Sequence, residues 1–356
     1  MSISHFKIKA ITLFIVAIPL CLLLPSFIHA SWTIMPDPPR VKIAIHSQDA
    51  EAAAALKSRF KEHLAAAGIN EKISTEILSR DLTVKNFHEA WQTGLRFRAW
   101  ILFFRGNENE WHAAFLTAGA DSDFTYPILT AMIFREGNPA ERFIAPYVDY
   151  CHRRFDAALQ GFSHWQSRGN TAQGDFYYWA ALAMARSGAL QKARDYIEEA
   201  VNMDFTAGEG AKWEMKLFQT VFSLHRASFD LETHHKCLES LHGCVEPLKE
   251  WNPRSGAIAQ MATADCLLRG PVEDFDRRQA ESLLAEGGRT LRHPMDEGSM
   301  AYLMELRATI LLRDKENPGA REKAVDLLQK AGDTWKRLGL FTREEALSRS
   351  IRLIKE

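Results

Sequence analysis

The chain has 356 residues, a formal net charge of −1, 46% hydrophobic residues and 25% charged residues. These proportions are those of an ordinary folded protein, and the length predicts about two domains. No Lys/Arg-rich run is found, which argues against a nucleic-acid partner because such binding needs a strongly basic surface.

The first thirty residues have a different composition from the rest. Lys7 and Lys9 precede an apolar run, and Ala30 is a small residue suited to cleavage. This layout predicts a secretory signal peptide at 1–30. The alternative is an uncleaved anchor, since residues 10–30 are long enough to cross a bilayer core of about 30 Å and would attach the chain to a membrane. Both alternatives place the rest of the chain in the periplasm, or on the membrane facing it.

Residues 31–40, SWTIMPDPPR, contain three prolines and predict an extended linker. A small α/β domain is predicted at 41–137, where apolar runs indicate strands and 3.6-residue periodicity indicates helices. Asp49 is expected to cap the first helix and Gly68 to end it. The predicted elements are strand Val41–Ile45, helix Ala50–Ala67, strand Ile73–Leu78, helix Thr83–Leu95, strand Ala99–Phe104 and strand Trp111–Thr117, with one more strand or helix at Ile128–Phe134.

The order of these elements, β-α-β-α-β-β, resembles the small N-terminal α/β domain of TolB-like and CsgG-like envelope proteins. The resemblance rests on element order and not on a motif. After Ile45 the chain continues with His46-Ser-Gln-Asp, without the glycines that let a backbone approach a phosphate. We therefore predict no dinucleotide site and no bound cofactor.

From about residue 140 to the end of the chain, 140–356, the pattern is helical. The clearest part is 174–205, which predicts two helices folded against each other. Apolar residues of the first helix recur at i, i+3, i+4 and i+7. Gly188 interrupts the pattern and suits a helix end. The short link between the helices predicts an antiparallel pair.

The second helix of this pair carries Ala193, Ile197 and Ala200, which match the small-x3-large-x2-small signature of a tetratricopeptide repeat. Related triplets are Ala158/Phe162/Trp165, Cys237/Leu241/Cys244, Ala280/Leu284/Gly287 and Ala324/Leu328/Ala331. Their first members lie 35, 44, 43 and 44 residues apart. The family's period is about 34, so the longer intervals imply stretched helices or loops.

The resemblance covers about residues 143–341. It implies an α+β two-domain protein, in which the small α/β domain is followed by an all-α, tetratricopeptide-like solenoid of helical hairpins. Residues 208–295 fit the signature less well and are either repeat units or ordinary hairpins. The last segment, Thr342–Ile354, begins with a capping box and would cover the end of the stack.

The same resemblance implies a partner-binding surface. In tetratricopeptide repeats the first helix of each unit lines a concave groove that holds a peptide or protein segment. Asp175, Tyr178, Leu182 and Arg186 share one side of the first helix. By resemblance this side would face the groove, where the two charged residues would hydrogen-bond a peptide and Tyr178 would anchor it.

Four cysteines lie beyond the targeting segment, in a compartment where disulfides form. Cys237 and Cys244 are two helical turns apart, about 10 Å, which is too far for a disulfide between them. Either could pair with Cys266. The alternative is that these three and Cys151 are packed thiols.

The histidines near these thiols invite a metal-site hypothesis. His234, His235 and His242 stand beside Cys237 and Cys244, but the short paired spacings of zinc sites are missing. We predict packed thiols with surface histidines and no metal site.

A second chemical hypothesis concerns Cys151 and His152, which are adjacent in sequence. A cysteine nucleophile needs a base adjacent in space, so this neighbourhood alone is weak support. No catalytic motif is found elsewhere, and we predict no catalytic residues.

Together these patterns predict an exported, non-enzymatic scaffold or adaptor that binds a protein or peptide partner in the cell envelope. The alternative is a regulatory or sensory subunit whose α/β domain binds a small ligand. A pocket near the C-terminal ends of Val41–Ile45 and Ala99–Phe104 would support that alternative. An enzyme is a third hypothesis, which a deep pocket with two titratable groups of shifted pKa would support.

Overall fold

The computed structural model describes residues 43–77, 101–105, 110–115, 130–135, 142–152, 154–166, 173–187, 189–205, 208–224, 231–270, 277–291, 297–314, 317–337 and 341–355. Within them the protein is mostly helical, with a small sheet near the N-terminal end. The predicted segments 1–30 and 31–40 and the predicted helix Thr83–Leu95 lie outside the described residues. None of the described helices combines the length and the apolar character needed to span a membrane.

The sheet has five strands in the order β2-β1-β3-β4-β5. β1 is parallel to both β2 and β3, whereas β4 is antiparallel to β3 and to β5. The strands are β1 Ile43–Ser47, β2 Ile73–Ile77, β3 Ile101–Arg105, β4 Glu110–Phe115 and β5 Thr130–Arg135. The predicted strands are therefore present within a few residues of their expected bounds. The segment predicted as a strand or helix at Ile128–Phe134 forms a strand over its described residues.

Helix α1, Ala50–Ala66, covers this sheet and begins and ends where the sequence predicts. Asp49 Oδ1 accepts hydrogen bonds from the backbone N–H groups of residues 51 and 52, each at 3.0 Å. These bonds satisfy two of the donors that a helix start leaves open. Gly68 has φ +70°, the left-handed conformation that terminates helices at little cost for glycine.

The rest of the described chain forms eleven helices, which begin at Ile144 near the predicted boundary at 140. They are α2 Ile144–Cys151, α3 Phe155–Gln166, α4 Gln173–Arg186, α5 Leu190–Val201, α6 Glu209–Leu224, α7 Leu231–Trp251, α8 Pro253–Arg269, α9 Arg277–Thr290, α10 Glu297–Arg313, α11 Ala320–Arg337 and α12 Phe341–Lys355. Consecutive helices pack against each other, which gives a repeat-like arrangement of neighbours.

Proline, glycine and asparagine set several of the boundaries between helices. Asn252 separates α7 from α8, and its Oδ1 accepts a hydrogen bond from the backbone N–H of Arg254 at 3.0 Å. Pro253 is the first residue of α8, where its missing N–H costs nothing. Gly270 follows the end of α8, and the turn at residues 317–319 separates α10 from α11.

The predicted triplets form the buried stripes of alternate helices. Every described triplet side chain is buried, and the described members are Ala158 and Phe162 of α3, Ala193, Ile197 and Ala200 of α5, Cys237, Leu241 and Cys244 of α7, Ala280, Leu284 and Gly287 of α9, and Ala324, Leu328 and Ala331 of α11. Small residues at these positions let neighbouring helices approach closely. The side chain of Trp165 lies outside the described residues.

The helices between them are buried on most of their surface. In α8 every residue from Arg254 to Leu268 is buried, since α6, α7, α9 and α10 all pack against it. α4, α6 and α10 are also mostly buried. Inner helices thus alternate along the chain with outer helices that bury one stripe.

The buried side chains form two cores that meet at α6. One core joins the sheet and α1 to α2, α4 and the side of α6 that carries Met215 and Phe218. The other joins the side of α6 that carries Leu217 and Val221 to α7 through α12. The predicted division near residue 140 is therefore not a break in the packing, because the first core spans it.

Candidate functional site

The predicted groove residues do not form an open surface. The exposed fractions of Asp175, Tyr178 and Leu182 are 0%, 2% and 8%, and the side chain of Arg186 lies outside the described residues. The predicted groove face is therefore wrong for the three described side chains. In α8 the residues 254–268 are also all buried, so this span offers no open surface to a ligand.

Aromatic packing explains why this side of α4 is closed. The Tyr178 ring meets the Phe218 ring of α6 edge-on, with centroids 5.6 Å apart. Next to it, the Trp179 ring packs against Tyr147 and Tyr150 of α2 at 4.8 and 5.5 Å. Edge-to-face pairs at these separations stabilise a core. The first inner helix is therefore held between α2 and α6.

Three of the four cysteines are packed thiols, as one of the two alternatives predicts for them. Cys237, Cys244 and Cys266 are free and buried. Burial raises the pKa of the Cys244 thiol to about 11 and that of Cys266 to about 12, which keeps both uncharged. The side chain of Cys151 lies outside the described residues, so the Cys151–His152 hypothesis has no geometry to support it.

The histidines follow the prediction only in part. His235 and His242 are exposed, but His234 is buried and its Nε2 donates to the Cys266 backbone carbonyl at 2.8 Å. Its prediction as a surface residue is wrong because α8 packs over it. Among the described residues no group of three or more His, Cys, Asp or Glu side chains is placed to hold a metal ion.

Sequence reasoning missed two histidines in the sheet. His46 of β1 and His112 of β4 both pair in register with Phe104 of β3, so they lie in one row across three strands. They are 0% and 5% exposed. Burial lowers the pKa of each to about 4, so both are neutral at pH 7. In β1, the alternation of His46 with the buried Ala44 could have indicated the burial of this histidine.

Sequence reasoning also missed that each of the inner helices α4, α6, α8 and α10 carries a buried carboxylate. These are Asp175, Glu214, Asp265 and Glu305, which are 0%, 1%, 3% and 9% exposed. Each lies among apolar residues of its helix, which is the signal that could have revealed it. An acid in such a place needs hydrogen-bond donors.

For three of these acids a donor comes from the next inner helix or from α12. Ser255 Oγ of α8 donates to Glu214 Oε1 at 2.7 Å. Tyr302 Oη of α10 donates to Asp265 Oδ2 at 2.6 Å. Arg343 of α12 donates through Nε and a terminal nitrogen to the two oxygens of Glu305, at 3.1 and 3.2 Å. The polar contact between consecutive inner helices therefore recurs along the chain.

The last of these links also contains a stacked arginine. The Arg343 guanidinium carbon lies 4.4 Å from the Trp335 ring centroid and 5.0 Å from that of Tyr302. Trp335 Nε1 donates to Glu305 at 2.5 Å. Charge-assisted hydrogen bonds and cation–π contacts thus join α12 to α10 and α11.

The α/β part contains an open depression with a volume of about 500 Å³. We call it the lysine depression, and it is lined by Lys57, Lys61, Asn70, Glu71, Lys72 and Ile73. It lies where the chain enters β2. The predicted pocket lay at the opposite edge of the sheet, near the C-terminal ends of the parallel strands.

One side of the lysine depression is tied to the helical part. His152, just after α2, donates from Nε2 to Glu71 Oε1 at 2.5 Å. The two side chains are 12% and 8% exposed. This shielded contact fixes the segment before β2 against the end of α2.

Comparison with known proteins gave no match, either to a protein-family model or to a curated protein.

Proposed function

We propose that this chain is an exported, non-enzymatic scaffold, in which a tetratricopeptide-like helical stack binds a protein or peptide partner in the cell envelope. The observation that carries the proposal is the recurrent buried triplet of α3, α5, α7, α9 and α11. A stack of similar helical pairs provides an extended, stiff surface to which a partner can bind without a change of fold.

The recurrent polar contact supports the assignment of repeat units. The pairs α4–α5, α6–α7, α8–α9 and α10–α11 each contribute one buried acid from the first helix, and α12 supplies the final donor. On this assignment α12 is the terminal helix that covers the stack. The 43-residue interval that follows Cys237 includes the rest of α7, a helix of 21 residues, whereas α5 has 12.

The surroundings of the strongly shifted acidic groups support a non-enzymatic role. Burial raises the pKa of Glu214 to about 8, and burial followed by the charge of Asp265 raises that of Tyr302 well above its ordinary value. Both groups lie between packed helices, where a substrate would have to displace the core.

We place the partner surface on α10. Met300, Met304, Arg307 and Leu311 follow one stripe at spacings of four, three and four residues, which puts them on one helix face. The three apolar side chains are only partly buried against the core, and Arg307 is exposed. Methionine-containing stripes adapt to partner surfaces, and the arginine suits a carboxylate of the partner.

A crosslinking pull-down from an envelope extract tests this proposal. The baits are the full chain, a variant with Met304→Lys and Arg307→Glu, and a control with Lys323→Glu on the exposed face of α11. We expect a partner recovered by the first and third baits and lost by the second, with equal thermal melting of all three. Recovery by all three baits would refute the α10 surface, and recovery by none would refute the scaffold.

A further inference from the structure

We propose that the lysine depression binds a small polyanion that carries at least two phosphate or carboxylate charges. This site is independent of the proposed scaffold surface on α10. It would give the α/β part a ligand of its own.

The first argument is the charge of the lining. Lys57, Lys61 and Lys72 converge on one depression, and none of them forms an ion pair with any described residue. Unpaired like charges on a small surface repel each other, and a polyanion would relieve that repulsion.

The one carboxylate of the lining is already hydrogen-bonded. Glu71 Oε1 accepts the hydrogen bond from His152 at 2.5 Å, on the side of α2. The lining therefore sets three ammonium groups against one carboxylate. The segment that carries Asn70 and Lys72 is held in place by the same contact.

The size and donor chemistry of the depression fit such a ligand. A volume of about 500 Å³ lies within the range of ligand sites, about 300–1,000 Å³. Each ammonium group offers three donors that can turn toward phosphate or carboxylate oxygens, and the Asn70 amide offers two more. Lys57 and Lys61 lie one turn apart on α1 and Lys72 lies before β2, so a ligand with charges at two points could contact both elements.

Isothermal titration of the full chain with pyrophosphate and with citrate, at constant ionic strength, tests the inference. The variant carries Lys57→Gln, Lys61→Gln and Lys72→Gln. The matched control carries Lys192→Gln, Lys323→Gln and Lys336→Gln, which replace exposed lysines of the helical part. These substitutions keep most of each side-chain stem, and a circular dichroism melt of each protein checks its fold.

We expect saturable binding of one anion molecule per chain, at least about tenfold weaker in the first variant and unchanged in the control. Binding of pyrophosphate alone would indicate a phosphate ligand, and binding of citrate alone a carboxylate ligand. The inference is overturned if neither anion binds the wild-type chain. It is also overturned if the variant of the depression binds with the same affinity as the control variant.

Discussion

Replacing Glu214 with glutamine is expected to remove a large part of the alkaline destabilisation of this protein. Glu214 is 1% exposed between α6 and α8, and its Oε1 accepts from Ser255 Oγ at 2.7 Å. Burial raises its pKa from 4.5 to about 8, against the opposing hydrogen bonds of Ser255 and Trp251 and the charge of Arg254. Glutamine has nearly the same shape, keeps the acceptor for Ser255 and does not ionise.

The sign of the effect follows from proton linkage. Between pH 4.5 and about 8 the folded state holds a proton on Glu214 that the unfolded state has released. The free energy of unfolding therefore falls as the pH rises through this window. For these two pKa values, the loss between pH 5 and pH 8.5 is about 4 kcal/mol. His46 and His112 act in the opposite direction between pH 4 and 6.5, because burial lowers their pKa.

Urea unfolding followed by far-UV circular dichroism from pH 5 to pH 8.5 measures this difference. The two histidines are present in both proteins, so their contributions cancel between wild type and Glu214→Gln. From pH 5 to pH 8.5 the free energy of unfolding of wild type should fall by about 4 kcal/mol relative to that of Glu214→Gln. Glu239→Gln, at an exposed position of α7, is the control and should follow wild type. Parallel pH profiles for wild type and Glu214→Gln would refute the reasoning.

Three further predictions concern packing. Gly210→Ala places a Cβ 1.9 Å from the Trp251 ring and should lower the free energy of unfolding, measured in urea, by about 1–3 kcal/mol. Gly243→Ala, at an open helical position, should raise it by about 0.5–1 kcal/mol. Arg343→Leu removes two donors from the Glu305 carboxylate and should lower the free energy of unfolding by about 2 kcal/mol. Adding Glu305→Gln should restore most of this loss. If the double variant is no more stable than Arg343→Leu alone, the pairing is contradicted. A maleimide reagent at pH 7 should leave three thiols unlabelled in the folded chain and label them in urea, and fast labelling of the folded chain would contradict the burial of Cys237, Cys244 and Cys266.

Short-range physics made much of this fold predictable from the sequence. The cap at Asp49 and the end at Gly68 depend on hydrogen bonds and backbone conformation within a few residues. The triplets were predictable for a related reason. A helix that buries one stripe must place apolar and small residues at fixed spacings, whatever lies opposite. The buried stripe of α9, a helix rich in charged residues, was found in this way.

The inner helices were harder because their burial depends on neighbours far away in sequence. The chosen stripe of α4 looked amphipathic, with Asp175 and Arg186 at its ends. Its burial is decided by aromatic rings of α2 and α6, which no local pattern of α4 contains. The burial of the carboxylates was missed because a helical carboxylate is ordinarily exposed, although the apolar residues around each one were a local signal. Glu214 is buried because α8 supplies Ser255 from 41 residues further along the chain.

The buried carboxylates also help to explain why consecutive inner helices lie close together. An acid inside an inner helix is tolerated only if the next unit approaches closely enough to supply a donor, because an unpaired buried charge costs several kcal/mol. At Asp265 that approach brings α10 against α8, and the Tyr302 hydroxyl donates at 2.6 Å. The same approach leaves α8 without an exposed face. Such contacts keep consecutive inner helices close, as the aromatic contacts of Tyr178 and Trp179 do for α4. Under the proposed scaffold function, a partner would therefore bind at the partly exposed stripe of α10.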